Sequence, residues 1–101
     1  MAGSKKKSTK KTLKPGKEIV ESEVEDLKDK LLKIINQDIK ELTVDMKNVK
    51  EIDSCGLGLL IAAKNSFYQS DGQLNLTNVP ENIENLIQML GLDSFFMPVT
   101  A

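Results

Sequence analysis

Two kinds of apolar spacing take turns along this 101-residue chain, and that alternation restricts the fold more than any other feature. In "IKELTVDM", Leu42, Val44 and Met46 alternate with Thr43 and Asp45, the period of two that turns one side of a strand inward. In "SEVEDLKDKLLKII", Val24, Leu27, Leu31 and Ile34 recur at helical spacing and form one apolar stripe. Both periods return downstream. Leu57, Leu60, Ile61, Ala63 and Phe67 predict a second helix from Gly56 to about Gln69, and Leu74 and Leu76 predict a strand in "QLNLTNV". Ile83, Leu86, Ile87 and Leu90 then follow i, i+3, i+4, i+7 in a third helix. With "KEIV" as a short extended piece after a turn at Pro15-Gly16, the order is β-α-β-α-β-α. The expected fold is therefore α/β: a small single domain with a mixed, mostly parallel sheet of about four strands packed against helices.

Local signals mark the joints. Ser22 with Glu25 three residues on has the form of a capping box. Asp71-Gly72 reads as a turn, Pro80 suits a first helical turn, and Gly91 is placed to end the third helix. "NVKEID" reads as loop, and "FFMPV" as a last short strand or a packed tail. No internal repeat is present.

Charge divides the chain in two. All fourteen basic residues are lysine, and seven of them precede the first acid, so residues 1 to 17 carry +7. The remainder sets seven lysines against fifteen acids, or −8. Such blocks mark a basic arm on an acidic body. We expect a disordered Lys-rich arm over residues 1–12 and the folded domain over 13–101. The arm could touch nucleic acid or anionic lipid. With neither arginine nor an aromatic residue in it, a solvated terminus that aids solubility is the plainer reading, and no nucleic-acid partner is expected.

Several chemistries fall away on composition. The chain has no histidine, which removes the usual general base near neutral pH, the commonest metal ligand and any Ser-His-Asp or Cys-His pairing. No metal, cofactor or catalytic residue is expected. The single Cys55 cannot form an internal disulfide, and no apolar run approaches the roughly 20 residues that span a bilayer. A soluble, cytoplasmic protein without a membrane span follows as the expectation.

"DSCGLG", residues 53–58, carries the functional interest. A strand stopping near Met46 and a helix starting near Gly56 put it in a β-to-α loop, at the carboxyl end of a strand, where open α/β sheets gather functional groups. Ser54 would lie at or just before a helix N-terminus, whose unpaired amides and dipole favour negative charge. A phosphate there would bring roughly −1.5 to −2 charges and three acceptor oxygens. Asp53 would stand beside the hydroxyl as its hydrogen-bond acceptor, and Gly56 and Gly58 would let a partner's backbone approach. The ordinary alternative is that Asp53 or Ser54 is an N-cap and "GLG" is tight packing. Neither the phosphate-cradling GxxxxGK[ST] nor the nucleophile-elbow GxSxG pattern is present.

From Leu42 to Phe96 the chain resembles the STAS domain, the family of bacterial anti-sigma factor antagonists and related modules. The strand ending in Asp45, the D-S-x-G-L-G loop, the Gly72 turn, the Leu74–Val79 strand and the last helix closing at Gly91-Leu92 carry that resemblance in order and spacing. It implies phosphorylation at Ser54 by a serine kinase of GHKL type that doubles as an anti-sigma factor, with reset by a PP2C-type phosphatase. It also implies a partner-binding face built on Asp53, Ser54, Cys55, Gly56, Leu57, Gly58 and Leu59, with Phe67 a further candidate for contact area. The unphosphorylated domain would bind the kinase and free a sigma factor, so the domain itself needs no catalysis. Two departures stand out. Val20 occupies a position where the family often has Asp, and the lysine arm replaces most of the first strand, so the family's opening hairpin should be short or missing.

Other readings stay open beside this switch. One is a constitutive STAS subunit of a chemosensory or lipid ABC-transport complex, with Ser54 only capping its helix. Another is a small nucleotide-binding or hydrolytic domain using the Asp53 loop. A missing first strand would also expose a sheet edge and leave a homodimer through that edge open.

Overall fold

Leu42, Val44 and Met46 are each fully buried, while Glu41, Thr43 and Asp45 between them are not, so the period of two settles which face of this strand meets the core. A computed structural model describes residues 10–96. Its elements run β1 (Lys10–Leu13), β2 (Glu18–Ile19), a 3₁₀ turn (Glu21–Glu23), α1 (Val24–Ile35), β3 (Glu41–Asp45), β4 (Glu51–Ile52), α2 (Ser54–Gln69), β5 (Gln73–Thr77), α3 (Glu81–Met89) and α4 (Asp93–Phe96). The strands form a three-stranded sheet ordered β1-β3-β5 and a two-stranded sheet of β2 and β4, and every one of these pairings is parallel. In register, Leu42 lies beside Lys11 on one side and Leu74 on the other.

One apolar cluster joins the layers. Leu27, Leu31 and Ile34 from α1, Leu57, Leu60, Ala63 and Phe67 from α2, Ile83 and Ile87 from α3 and Phe96 from α4 share one buried core with the sheet residues Leu42, Val44, Leu74 and Leu76. The same helical stripes were legible as sequence periods, except at Leu90, which lies at the C-cap of α3 and is exposed. Among the residues with positive φ are Asp71 (62°), in the turn between α2 and β5, and Gly91 (72°), just after α3. At the outer edge of β5, the Lys64 ammonium donates to the Leu74 carbonyl at 2.8 Å and sits 5.6 Å from the centre of the Phe95 ring.

The structure departs from some of these expectations and meets others. Lys10, Lys11 and Thr12, assigned to the arm, pair with β3 instead, because β3 offers an open edge; residues 1–9 lie outside the described residues. β1 and β2 do not pair with each other, in keeping with the missing hairpin. Within "NVKEID", Glu51-Ile52 forms β4 by pairing with β2. Two residues carry no period, so only the partner strand reveals them. The Ser22–Glu25 capping box is not made: α1 starts at Val24 behind a 3₁₀ turn, with no side-chain cap at its own N-terminus. Finally, of the two forms expected for the tail, Phe95 and Phe96 take the packed one: they belong to a short helix, with Phe96 fully buried, and residues 97–99 lie outside the described residues.

Candidate functional site

At the end of β4 the chain turns into α2 through Asp53, whose extended backbone (φ −116°, ψ −175°) makes it the N-cap. One carboxylate oxygen, Oδ1, accepts from the Gly56 N–H at 2.9 Å. The other, Oδ2, accepts from the Glu21 N–H, also at 2.9 Å, at the start of the 3₁₀ turn. Val20 explains the second bond. It holds the N-cap position of that turn and makes no side-chain cap, so Asp53 supplies the missing acceptor from another element. Two helical N-termini thus converge on one carboxylate. The backbone adds to the joint, since the Asp53 N–H donates to the Ile19 carbonyl at 3.2 Å and the Leu57 N–H to the Asp53 carbonyl at 2.9 Å.

These bonds tune Asp53. The Gly56 N–H, then the Glu21 N–H, hold its carboxyl below the usual carboxylate range. A lowered folded pKa means that this contribution to stability is complete above the unfolded value and is lost as acid carries the pH down through the folded one. We expect the Glu21 and Gly56 amide proton resonances to titrate together, with a common midpoint below that of an unstructured Asp. Separate midpoints would refute the shared acceptor. Asp45, at the end of β3, is lowered in the same direction, first by the Asn78 side-chain amide and then by the Lys47 N–H.

Ser54 is the first residue of α2 and is exposed. The expectation that Asp53 would accept from its hydroxyl is corrected here: the two carboxylate oxygens are engaged by backbone N–H groups. Cys55 is exposed, with a free thiol. Residues 54–58, expected in a loop, instead form the first turn of α2 behind the Asp53 N-cap, and they split by direction. Gly56 and Leu57 are buried, Gly58 is exposed, and Leu59 is half-buried at the boundary. Phe67 is 2% exposed and belongs to the core; it offers no surface to a partner.

The two glycines therefore have different reasons. A Cβ at Gly56 would run into the Ile19 carbonyl oxygen and come within 2.7 Å of the Ile19 Cγ2, so α2 can lie this close to β2 only with hydrogen at that position. A Cβ at Gly58 would meet nothing within 4 Å. Glycine inside a helix costs about 1 kcal/mol relative to alanine, and the chain's own packing gives no return for it at residue 58. Gly56 thus packs against the chain's own backbone and leaves no room for a partner's, whereas Gly58 is open to solvent. Ala62, one turn further along, is exposed as well and extends the small-residue surface of Cys55 and Gly58. Its signal was its spacing of four from Gly58, which sequence reasoning passed over.

Among the described residues no group of three His, Cys, Asp or Glu side chains is placed to hold a metal ion, and no helix is long and apolar enough to cross a membrane.

Comparison with known proteins bears on the whole arrangement. The anti-sigma-B factor antagonist of Staphylococcus aureus is 29% identical over 80 residues, covering 79% of this chain and 74% of that protein. Among solved structures, the anti-sigma factor antagonist SpoIIAA in its unphosphorylated form superposes with a TM-score of 0.68 at 17% identity, over 84% of this chain and 79% of that one. SpoIIAA of Bacillus in the phosphorylated form gives 0.68 at 21% identity, over 88% and 81%. A sulfate transporter family protein from Wolinella succinogenes gives 0.72 at 18%, over 93% and 78%. At such identities these structures speak for the fold. The family model for the STAS domain matches residues 5–101, and the chain belongs to that family.

Proposed function

We propose that the protein is an anti-sigma factor antagonist-like switch, in which a partner docks on the outward side of the first turns of α2 and phosphorylation of Ser54 decides whether it stays. The observation that carries this reading is the exposed hydroxyl on the first residue of a sixteen-residue helix. The helix dipole favours a dianion there, and no core packing stands between the hydroxyl and a kinase. Ser54, Cys55, Gly58 and Ala62 give a face of small side chains onto which another backbone can close, with Leu59 adding apolar area at its margin.

The family gives this surface its context. Its anti-sigma factor antagonists are binding proteins, not enzymes, and one of the structural neighbours is a protein solved in both unphosphorylated and phosphorylated forms. The partner we propose is an anti-sigma factor with GHKL-type serine kinase activity, opposed by a PP2C-type phosphatase, with the exchange taking place in the cytoplasm. Incubation with that kinase and ATP is expected to add one phosphate, by mass, to the wild-type chain and none to Ser54→Ala. A phosphate found on any other residue ends the proposal.

A further inference from the structure

We propose that Asp53 is the positioning residue of this switch: its carboxylate fastens the segment Lys17–Glu23 to the first turn of α2, and a phosphate on Ser54 undoes the fastening. The inference rests on the reading of Ser54 as the acceptor and adds what the modification does to the shape of the docking face.

The segment in question is held by few bonds. β2 and β4 contribute two residues each. The Lys17 carbonyl accepts from the Lys50 and Glu51 N–H groups at 2.7 and 3.3 Å, and the Ile19 carbonyl accepts from the Asp53 N–H. Beyond Ile19, the Glu23 N–H bonds locally to the Val20 carbonyl. The bond that reaches from the 3₁₀ turn to the Ser54 loop is Glu21 N–H to Asp53 Oδ2. While it stands, a partner approaching α2 meets a composite surface, the N-terminal turn of α2 on one side and the acidic turn on the other.

A phosphate on the residue next to Asp53 disturbs this arrangement in two ways. It brings a dianion beside a carboxylate and competes for the same amides at the start of α2. It also faces a segment with an excess of acids, since Glu18, Glu21 and Glu23 are exposed there against the single Lys17. Asp53 keeps the Gly56 N–H, which belongs to its own helix turn, and gives up the Glu21 N–H, which is contributed by a separate element. The turn then moves away with its acids. Phosphorylation changes the contour of the face as well as its charge.

The test uses the full chain with phosphoserine genetically encoded at position 54, so that no kinase is required, and follows single amides by NMR hydrogen exchange. Glu21 is expected to exchange about tenfold faster than in the unmodified chain, with Val44 and Leu74 in the sheet unchanged. Asp53→Asn provides a second route without phosphate. Asparagine still caps its own helix but offers one acceptor oxygen where aspartate has two, so Gly56 should keep its protection and Glu21 lose it. Equal Glu21 exchange with and without the phosphate overturns the proposal whatever the partner does, as does a protected Glu21 in Asp53→Asn. If Glu21 is released while the phosphoserine chain binds its partner undiminished, the fastening stands and the reading of Ser54 as the switch falls.

Discussion

Gly56→Ala is expected to lower stability by about 3 kcal/mol, a fall in Tm of roughly 15 °C for a domain of this size. The added methyl group has no room to yield, because its obstacle is the Ile19 carbonyl and not the end of a side chain. Relief requires α2 to move off β2, which would open the contacts of Ile19, itself fully buried. Gly58→Ala should do the reverse, stabilising the isolated chain by up to about 1 kcal/mol through helix propensity alone while weakening the docking of a partner. Urea denaturation of the two variants separates these outcomes. Equal midpoints for both would show that the close approach of α2 to β2 is not as described.

Phosphorylation of Ser54 should weaken partner binding by about 100-fold or more, close to 2.8 kcal/mol at about 1.4 kcal/mol per decade. A charge pressed into an interface without a counter-charge costs on the order of 3–5 kcal/mol, and reversing a 1:99 population takes about 5.5 kcal/mol, so a dianion can provide the larger share of a complete switch. Ser54→Asp, with a single charge and a shorter reach, should give about a tenfold loss. Titration calorimetry with the kinase partner measures both. If Ser54→Asp and the phosphorylated chain bind as tightly as wild type while Gly58→Ala does not, the protein is a constitutive subunit that uses the same face.

The fold was legible wherever apolar periods were long enough to count. Leu42–Val44–Met46, the α1 stripe and the Ile83–Ile87 pair all point inward as their spacing requires. β4 was not, because Glu51-Ile52 is a strand only by virtue of Glu18-Ile19 lying alongside it. The start of α1 failed as well. A capping box needs its serine at the N-cap, and here Ser22 lies inside the 3₁₀ turn Glu21–Glu23 while Glu23 holds the N-cap of α1, so Ser22 and Glu25 lose the task their spacing suggested. The D-S-x-G-L-G loop was found by resemblance and by its place after a strand. Which of its residues face out could not be read from it, since Gly56 and Gly58 are the same letter and only the position of the Ile19 carbonyl tells them apart.

Both flanks of the β1-β3-β5 sheet are guarded by ammonium groups. On one flank Lys11 and Lys14 are exposed on and just after β1, beside Lys10, which is paired with Glu41 at 3.9 Å; on the other the Lys64 side chain occupies the Leu74 carbonyl. A stray strand seeking to extend the sheet would meet a row of like charges on the first side and would have to evict a bonded cation on the second. Extension of the sheet at either edge is thereby disfavoured, and the exposed side of α2 stays available for the partner proposed above.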